Sequence, residues 1–132
     1  MSLAMIINEF TVENVENSIK FYEENLKFET EITEGKPITW ARLRKDEVII
    51  MLEDYNAVKK SMSNYPNKVN SSNLIKFEYD ELKEIEELHK NLKQNDIEFF
   101  MEYTKTDYGK VEFGILDPDK NMILISALIE CS

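Results

Sequence analysis

Apolar and polar residues alternate along the chain with two different periods, and each change of period marks a new element. Residues 5–12 alternate with period two, which predicts a β-strand, whereas residues 15–26 place apolar side chains on one helical face. Asn14, directly before that helix, is a favourable N-cap because its side chain can accept a hydrogen bond from the first turn. The apolar runs that follow predict three further strands, at residues 28–32, 39–44 and 48–53.

The second part of the chain repeats this order, and the repeat is the strongest signal in the sequence. Its predicted elements are a strand at 73–79, a helix at about 81–94 and strands at 97–102, 111–116 and 122–128. Such a repeat implies an α+β fold of two tandem βαβββ modules, each with a curved sheet covered by one helix. The modules span about residues 5–53 and 73–128 of a single domain, 1–132, and residues 54–72 link them.

Length and charge restrict the classes of function. The 132 residues suffice for one ordinary domain, and 16 basic against 26 acidic residues give a net charge of −10. No basic stripe is present to neutralise phosphates, so nucleic acids and anionic membranes are disfavoured as partners. The acidic surface serves solubility or favours cationic ligands.

The only cysteine and the only histidine have no predicted chemistry. Cys131 has no partner for an internal disulfide, and the chain shows neither a signal peptide nor an apolar run that could span a bilayer, so we expect a cytoplasmic protein. His89 is interpreted as a solvated helix residue. No catalytic residue is assigned.

Two segments resemble a known superfamily. Val12–Tyr22 (VENVENSIKFY) is similar to the first strand-to-helix segment of the vicinal oxygen chelate superfamily, and Gly114–Leu124 (GILDPDKNMIL) is similar to its closing turn and last strand, with Lys120 where a glycine is usual. This group contains glyoxalase I, extradiol dioxygenases, fosfomycin-resistance enzymes and bleomycin-resistance proteins. The resemblance implies that the two modules form a curled mixed sheet around a central cavity, which is often completed by the second subunit of a homodimer.

The resemblance also implies where a metal would bind, and the residues at those positions are all apolar. Metal-dependent members carry a histidine on the first strand of each module and a glutamate on the last strand of one or both. The corresponding positions are Ile7, Leu74, Leu124 and Ile50, the last with a slip of one residue to Ile49 or Met51. Because divalent metals need imidazole or carboxylate ligands, the resemblance favours the metal-free, bleomycin-resistance-like branch, and we expect no metal or other cofactor.

One face of each module would line the ligand cavity. On the first strands that face carries Ile7, Glu9 and Thr11 and, in the second module, Leu74, Lys76 and Glu78. The other candidate ligand-binding residues are Trp40, Arg42, Tyr103, Tyr108, Phe113 and Leu124. Glu9 and Glu78 would form a carboxylate pair that binds a cation or acts as a general base, unless they are solvated or Lys76 neutralises Glu78. Arg42 either holds a ligand carboxylate or pairs with a neighbouring glutamate, and Phe113 either lines the cavity or belongs to the core.

The segment between the two modules is predicted to be a long linker. Residues 54–72 lose their periodicity and collect Asn, Ser and Pro, with room for one short helical turn. Loops of this length are usually functional or mobile. We expect this segment to border the cavity mouth as a mobile lid, with Met62 and Tyr65 able to cap an apolar ligand.

Three hypotheses about function follow. The first is a metal-independent protein that binds a small molecule and sequesters an amphipathic or cationic compound, as drug-resistance proteins of this family do. The second is a metal-dependent lyase or dioxygenase whose ligands lie elsewhere in the chain. The third is an interaction or scaffold protein without ligand chemistry.

Overall fold

The computed structural model describes residues 1–62, 64 and 74–129 of the chain. The chain divides into two units, Met1–Val69 (unit 1) and Asn70–Ser132 (unit 2). Cys131 and Tyr65 lie outside the described residues. Within the described ranges, no helix is long and apolar enough to cross a membrane.

Unit 1 is a four-stranded sheet with two helices. Its elements in chain order are β1 (Asn8–Val12), α1 (Val15–Leu26), β2 (Glu29–Glu34), β3 (Trp40–Lys45), β4 (Val48–Asp54) and α2 (Tyr55–Ser61). The strands lie in the order β1-β4-β3-β2, with β1 parallel to β4 and the other neighbours antiparallel.

Unit 2 repeats this topology with one helix. Its elements are β5 (Leu74–Tyr79), α3 (Leu82–Gln94), β6 (Phe99–Lys105), β7 (Lys110–Leu116) and β8 (Met122–Leu128). The strand order is β5-β8-β7-β6, with β5 parallel to β8 and the other neighbours antiparallel. The α+β fold with two tandem modules, predicted from the internal repeat, is therefore confirmed.

Local signals in the sequence determine both ends of α1. The side chain of Asn14 accepts a hydrogen bond from the backbone N–H of Asn17 at 2.9 Å, which satisfies one of the free amides of the first turn. The helix ends at Lys27, whose φ of 62° is left-handed and redirects the chain towards β2. These two signals give α1 the bounds predicted for it.

In each unit, one helix covers one face of the sheet. In unit 1, Phe10, Leu43 and Leu52 are buried beneath α1, and the ring of Tyr22 on α1 stacks 6.0 Å from that of Phe10. Burying each such side chain stabilises the fold by about 1.5–3 kcal/mol, so the helix-facing sides hold the units together.

Because successive strand residues point to opposite sides, the intervening residues lie on the side of each sheet opposite its long helix, which we term the open face. The open face of unit 1 carries Glu9, Thr11, Trp40, Arg42, Met51 and Glu53. The open face of unit 2 carries Lys76, Glu78, Glu112, Gly114, Leu124 and Ser126.

Two predicted strands begin two or more residues later than their apolar patterns. β1 begins at Asn8, so residues 5–7 precede the strand and are exposed. β6 begins at Phe99, because the turn after α3 needs the left-handed Asp96, with φ of 56°, before the chain can extend.

The predicted linker begins with a two-turn helix. Asp54 caps α2 by accepting a hydrogen bond from the N–H of Ala57 at 3.0 Å, and Val58 anchors the helix because its side chain is buried. Met62 is exposed directly after α2. Residues 63 and 65–73 lie outside the described residues, so the mobile lid stays a prediction.

His89 is packed inside unit 2, which corrects its interpretation as a solvated residue. Its ring centroid lies 5.4, 5.2 and 5.0 Å from those of Phe99, Tyr103 and Phe113. Its Nε2 atom is buried and has no hydrogen-bond partner among the residues that the structure describes.

Helical spacing contains a signal for this placement. His89 follows Ile85 by four residues and precedes Leu92 by three, and both of these are fully buried. Burial lowers the pKa of His89, and the nearby ammonium of Lys93 lowers it further, while Glu102 partly opposes them. His89 is therefore neutral in the folded protein at pH 7.

We predict that His89 makes unit 2 sensitive to acid. The unfolded chain takes up a proton on this histidine below its usual pKa, whereas the folded chain resists protonation, so stability is lost as the pH falls from 7 towards 5. His89→Leu should flatten this part of the curve of unfolding free energy against pH, measured by urea denaturation. Glu53, whose raised pKa acts in the opposite sense, is common to both proteins and cancels. Parallel curves for the two proteins would contradict the prediction.

Candidate functional site

The open face of unit 1 holds an aromatic ring between two carboxylates. Trp40 on β3 is the register partner of Glu34 on β2 and of Glu53 on β4, so these acidic residues flank the indole on one face of the sheet. Thr39 and, from α2, Ala57 complete a shallow cleft of about 330 Å³, which we term the Trp40 cleft. Its volume lies at the lower end of the range of small-molecule sites.

The Trp40 cleft is negatively charged. Burial raises the pKa of Glu53, and the carboxylates of Glu9 and Glu34 raise it further. Within the described part of the chain, no lysine or arginine forms an ion pair with any of these three glutamates. The cleft therefore combines an aromatic surface with carboxylates that have no ion-pair partner among the described lysines and arginines.

Two arginines of unit 1 are neutralised by one glutamate. A bulge in β2 brings Glu31 beside β3, where its Oε1 lies 3.1 Å from Nε of Arg42 and its Oε2 lies 2.9 Å from Nε of Arg44. The hydrogen bond from Arg44, together with the charges of both arginines, holds the pKa of Glu31 below its usual value. Of the two roles considered for Arg42, the structure shows the pairing with a neighbouring glutamate.

Unit 2 has a buried carboxylate on its open face that the sequence analysis missed. Glu112 on β7 is 4% exposed. Tyr108 donates a hydrogen bond to its Oε1 at 2.7 Å, and Ser126 and Lys76 donate to its Oε2 at 3.2 and 3.1 Å. Burial alone would raise the pKa of Glu112, but these donors outweigh it and hold the pKa below its usual value.

The sequence contained only a weak signal for this network. Glu112 is one charged residue within a strand that is otherwise mostly apolar, and its three partners come from a turn and two other strands. Lys76 pairs with Glu112, and Glu78 pairs with Lys110 instead. The hydrogen bond from Lys110 lowers the pKa of Glu78.

An aromatic ring lies directly on the open face of unit 2. A Cβ atom at Gly114 would come within 2.3 Å of the ring of Phe100, so the ring occupies the space that any larger residue at 114 would fill. Phe100 is nevertheless 40% exposed. The glycine thus lets an accessible aromatic surface rest on the backbone of β7.

Tyr103, a candidate ligand-binding residue, and Phe113, expected either in the cavity or in the core, both face α3. Both rings contact His89, and Phe113 is fully buried. Because consecutive residues of β7 point to opposite faces of the sheet, Phe113 lies on the helix side and Glu112 lies on the open face. Along β6, Phe99 and Tyr103 contact His89 on the helix side, whereas Phe100 lies on the open face, as alternation requires.

The remaining predicted residues lie on or beside the open faces. Leu124 is the register partner of Lys76, and Leu74 precedes Lys76 by two residues on the same face. Ile7 is exposed and precedes β1. In unit 1, Thr11 is the register partner of Glu53, next to the Trp40 cleft.

A family model matches nearly the whole chain. It describes the Glyoxalase/Bleomycin resistance protein/Dioxygenase superfamily and matches residues 4–125. The chain belongs to this superfamily. No functionally curated protein matches the chain.

Solved structures from the glyoxalase superfamily share the fold. A glyoxalase-related enzyme from Fulvimarina pelagi has a TM-score of 0.80 at 11% identity, over 94% of this chain and 87% of that one. A family enzyme from Burkholderia phytofirmans PsJN has a TM-score of 0.80 at 14% identity, over 93% and 97%. A lactoylglutathione lyase from Agrobacterium tumefaciens has a TM-score of 0.74 at 16% identity, over 94% and 92%. At these identities the likeness concerns the fold, which carries several chemistries.

The residues at the superfamily's metal-ligand positions do not fit a divalent metal. Ile7, Leu74 and Leu124 have no donor atom in their side chains. At the fourth position, Ile50 is fully buried on the helix side, whereas Met51 lies on the open face with a thioether that suits soft ions such as Cu(I). Across residues 1–62, 64 and 74–129, no three His, Cys, Asp or Glu side chains are grouped so as to hold a metal ion.

We predict that protein purified without chelator carries far less than one Zn, Ni, Mn or Fe per chain. The side chains of Ile7, Leu74 and Leu124 contain no ligand atom, so they cannot replace the water molecules that a metal ion loses when it binds. Elemental analysis is the measurement. One equivalent of metal per chain, removed by chelator together with an activity, would contradict the prediction.

Proposed function

We propose that this protein is a metal-independent small-molecule-binding protein that sequesters an amphipathic organic cation in the Trp40 cleft. The observation that carries the proposal is the position of Trp40 between Glu34 and Glu53, in a cleft whose carboxylates form no ion pair with the basic residues that the structure describes. Glu9 adds a third negative charge near Glu53.

The chemistry of the cleft favours an organic cation over a metal or an anion. An ammonium group over the face of an indole gains about 0.5–2 kcal/mol from the ring. A hydrogen bond to a charged carboxylate contributes about 1.5–3 kcal/mol, or roughly ten- to a hundredfold in affinity. The apolar body of the ligand would rest on Trp40 and Ala57.

The distribution of basic groups supports the same ligand charge. Arg42 and Arg44, the arginines of β3, are both neutralised by Glu31. The net charge of −10 adds a long-range attraction for cations. An anionic ligand would meet the carboxylates of the cleft without a free arginine to offset them.

The two alternative functions, a metal-dependent enzyme and a scaffold protein, predict different experimental results. A metal-dependent lyase or dioxygenase requires bound metal, and the structural likeness to a lactoylglutathione lyase at 16% identity concerns the fold only. A scaffold protein would show no ligand-dependent stabilisation. The bleomycin-resistance-like branch, a role in drug resistance, the homodimer and the cytoplasmic location remain parts of this proposal.

We predict that benzyltrimethylammonium binds more tightly than neutral benzyl alcohol. Glu53→Gln should weaken binding of the cation roughly tenfold and leave binding of the alcohol nearly unchanged, because it removes one of the carboxylate charges that attract the quaternary ammonium. Glu9→Gln should have a smaller effect in the same direction. Titration calorimetry on the full chain measures the affinities of both ligands for the three proteins.

Glu47→Gln is the matched control, since Glu47 lies in the exposed turn between β3 and β4. It removes the same charge from unit 1 outside the cleft and should leave both ligands unaffected. Protonation of Glu53 removes its charge and should weaken binding of the cation. Because the pKa of Glu53 is raised, the affinity should begin to fall at a higher pH, as the solution is acidified, than it would for an ordinary glutamate. Equal loss in Glu47→Gln and Glu53→Gln, or tighter binding of the alcohol, would contradict the proposal.

A further inference from the structure

We propose that the open face of unit 2 holds a second small-molecule site, in which the ammonium of Lys76 binds an anionic oxygen of an aromatic acid. The body of this ligand rests on Leu124, Gly114 and the ring of Phe100. The site uses residues of unit 2 alone, so it stands independently of the cation binding proposed for unit 1.

Glu112 fixes the position of the ammonium. Because the side chain of Lys76 is accessible, its ion pair with Glu112 contributes little to stability, and the consequence of Glu112 is positional. Its Oε2 lies 3.1 Å from Nζ of Lys76, and Tyr108 and Ser126 hold the carboxylate in place. A long and otherwise mobile lysine is thereby held at one point of the sheet.

The accessible group of this network is a donor. The side chain of Glu112 is 5% exposed and already accepts three hydrogen bonds, whereas the side chain of Lys76 is 39% exposed. An ammonium has three N–H donors, and the bond to Glu112 uses one of them. A ligand therefore meets a hydrogen-bond donor with a positive charge, and its best complement is a carboxylate or phenolate oxygen.

The floor beside Lys76 is apolar and aromatic. Lys76 pairs in register with Leu124, which pairs with Gly114, and the ring of Phe100 lies over Gly114. An exposed ring against a backbone without Cβ offers a flat contact surface for a planar group. This row of residues, with an ammonium at one end, is suited to a small aromatic carboxylate.

The test compares benzoate with benzamide, which has nearly the same shape and no charge. Both are titrated into the ¹⁵N-labelled full chain, and the amide shifts of β5, β7 and β8 report the location and the affinity. We expect benzoate to bind about tenfold more tightly, as one charge-assisted hydrogen bond implies. In the paired variant K76M/E112Q, which leaves no unpaired buried carboxylate, this preference should disappear.

The control is K93M/E102Q, which removes a lysine–glutamate pair between α3 and β6 of the same unit and should keep the preference. Phe100→Leu provides a second measurement that does not depend on the paired variant. It should lower the affinity for both benzoate and benzamide several-fold and leave the ratio of the two affinities unchanged.

The proposal is overturned if benzoate shifts no amide of the open face, if benzamide binds equally well, or if K76M/E112Q keeps the preference. Unchanged affinities in Phe100→Leu would overturn it as well. A failure here leaves the binding of benzyltrimethylammonium and its dependence on Glu53 untouched, so the two proposals fail separately.

Discussion

Each sheet has two faces, and in each unit one long helix covers one of them. This constraint decides where the apolar residues go, because only the side beneath α1 or α3 can bury them fully. Phe10, Leu43 and Leu52 in unit 1 therefore occupy one set of alternating positions, and the other set is left to polar or half-buried residues. The candidate chemistry of the protein lies on that second set.

A charge on a partly buried sheet face raises the free energy of the folded protein unless it is paired. The two units differ in how their charges are paired. In unit 2, Glu112 satisfies its carboxylate with Tyr108, Ser126 and Lys76 and leaves an accessible ammonium. In unit 1, the arginines are paired through a bulge, while Glu53 remains beside other carboxylates with a raised pKa. Unit 1 thus presents acceptors and unit 2 presents a donor.

The sequence predicted what depends on local periodicity and missed what depends on partners across strands. The bounds of α1 follow from Asn14 and helical spacing, and the internal repeat follows from the order of the elements. Tyr103, a candidate ligand-binding residue, faces α3 instead, because alternation alone does not say which side of β6 meets the helix. Glu112 was missed because two of its three partners, Ser126 and Lys76, are distant in sequence. The spacing of His89 relative to Ile85 and Leu92 did carry a usable signal.

The central claim is that the Trp40 cleft binds an organic cation through its indole and its carboxylates. Trp40 is the only tryptophan of the chain, so intrinsic fluorescence reports on this cleft without a label. Titration with benzyltrimethylammonium should change the emission saturably, with a midpoint that rises with ionic strength as the carboxylates are screened. A fluorescence that stays constant through the titration, or a midpoint independent of salt, would contradict the account.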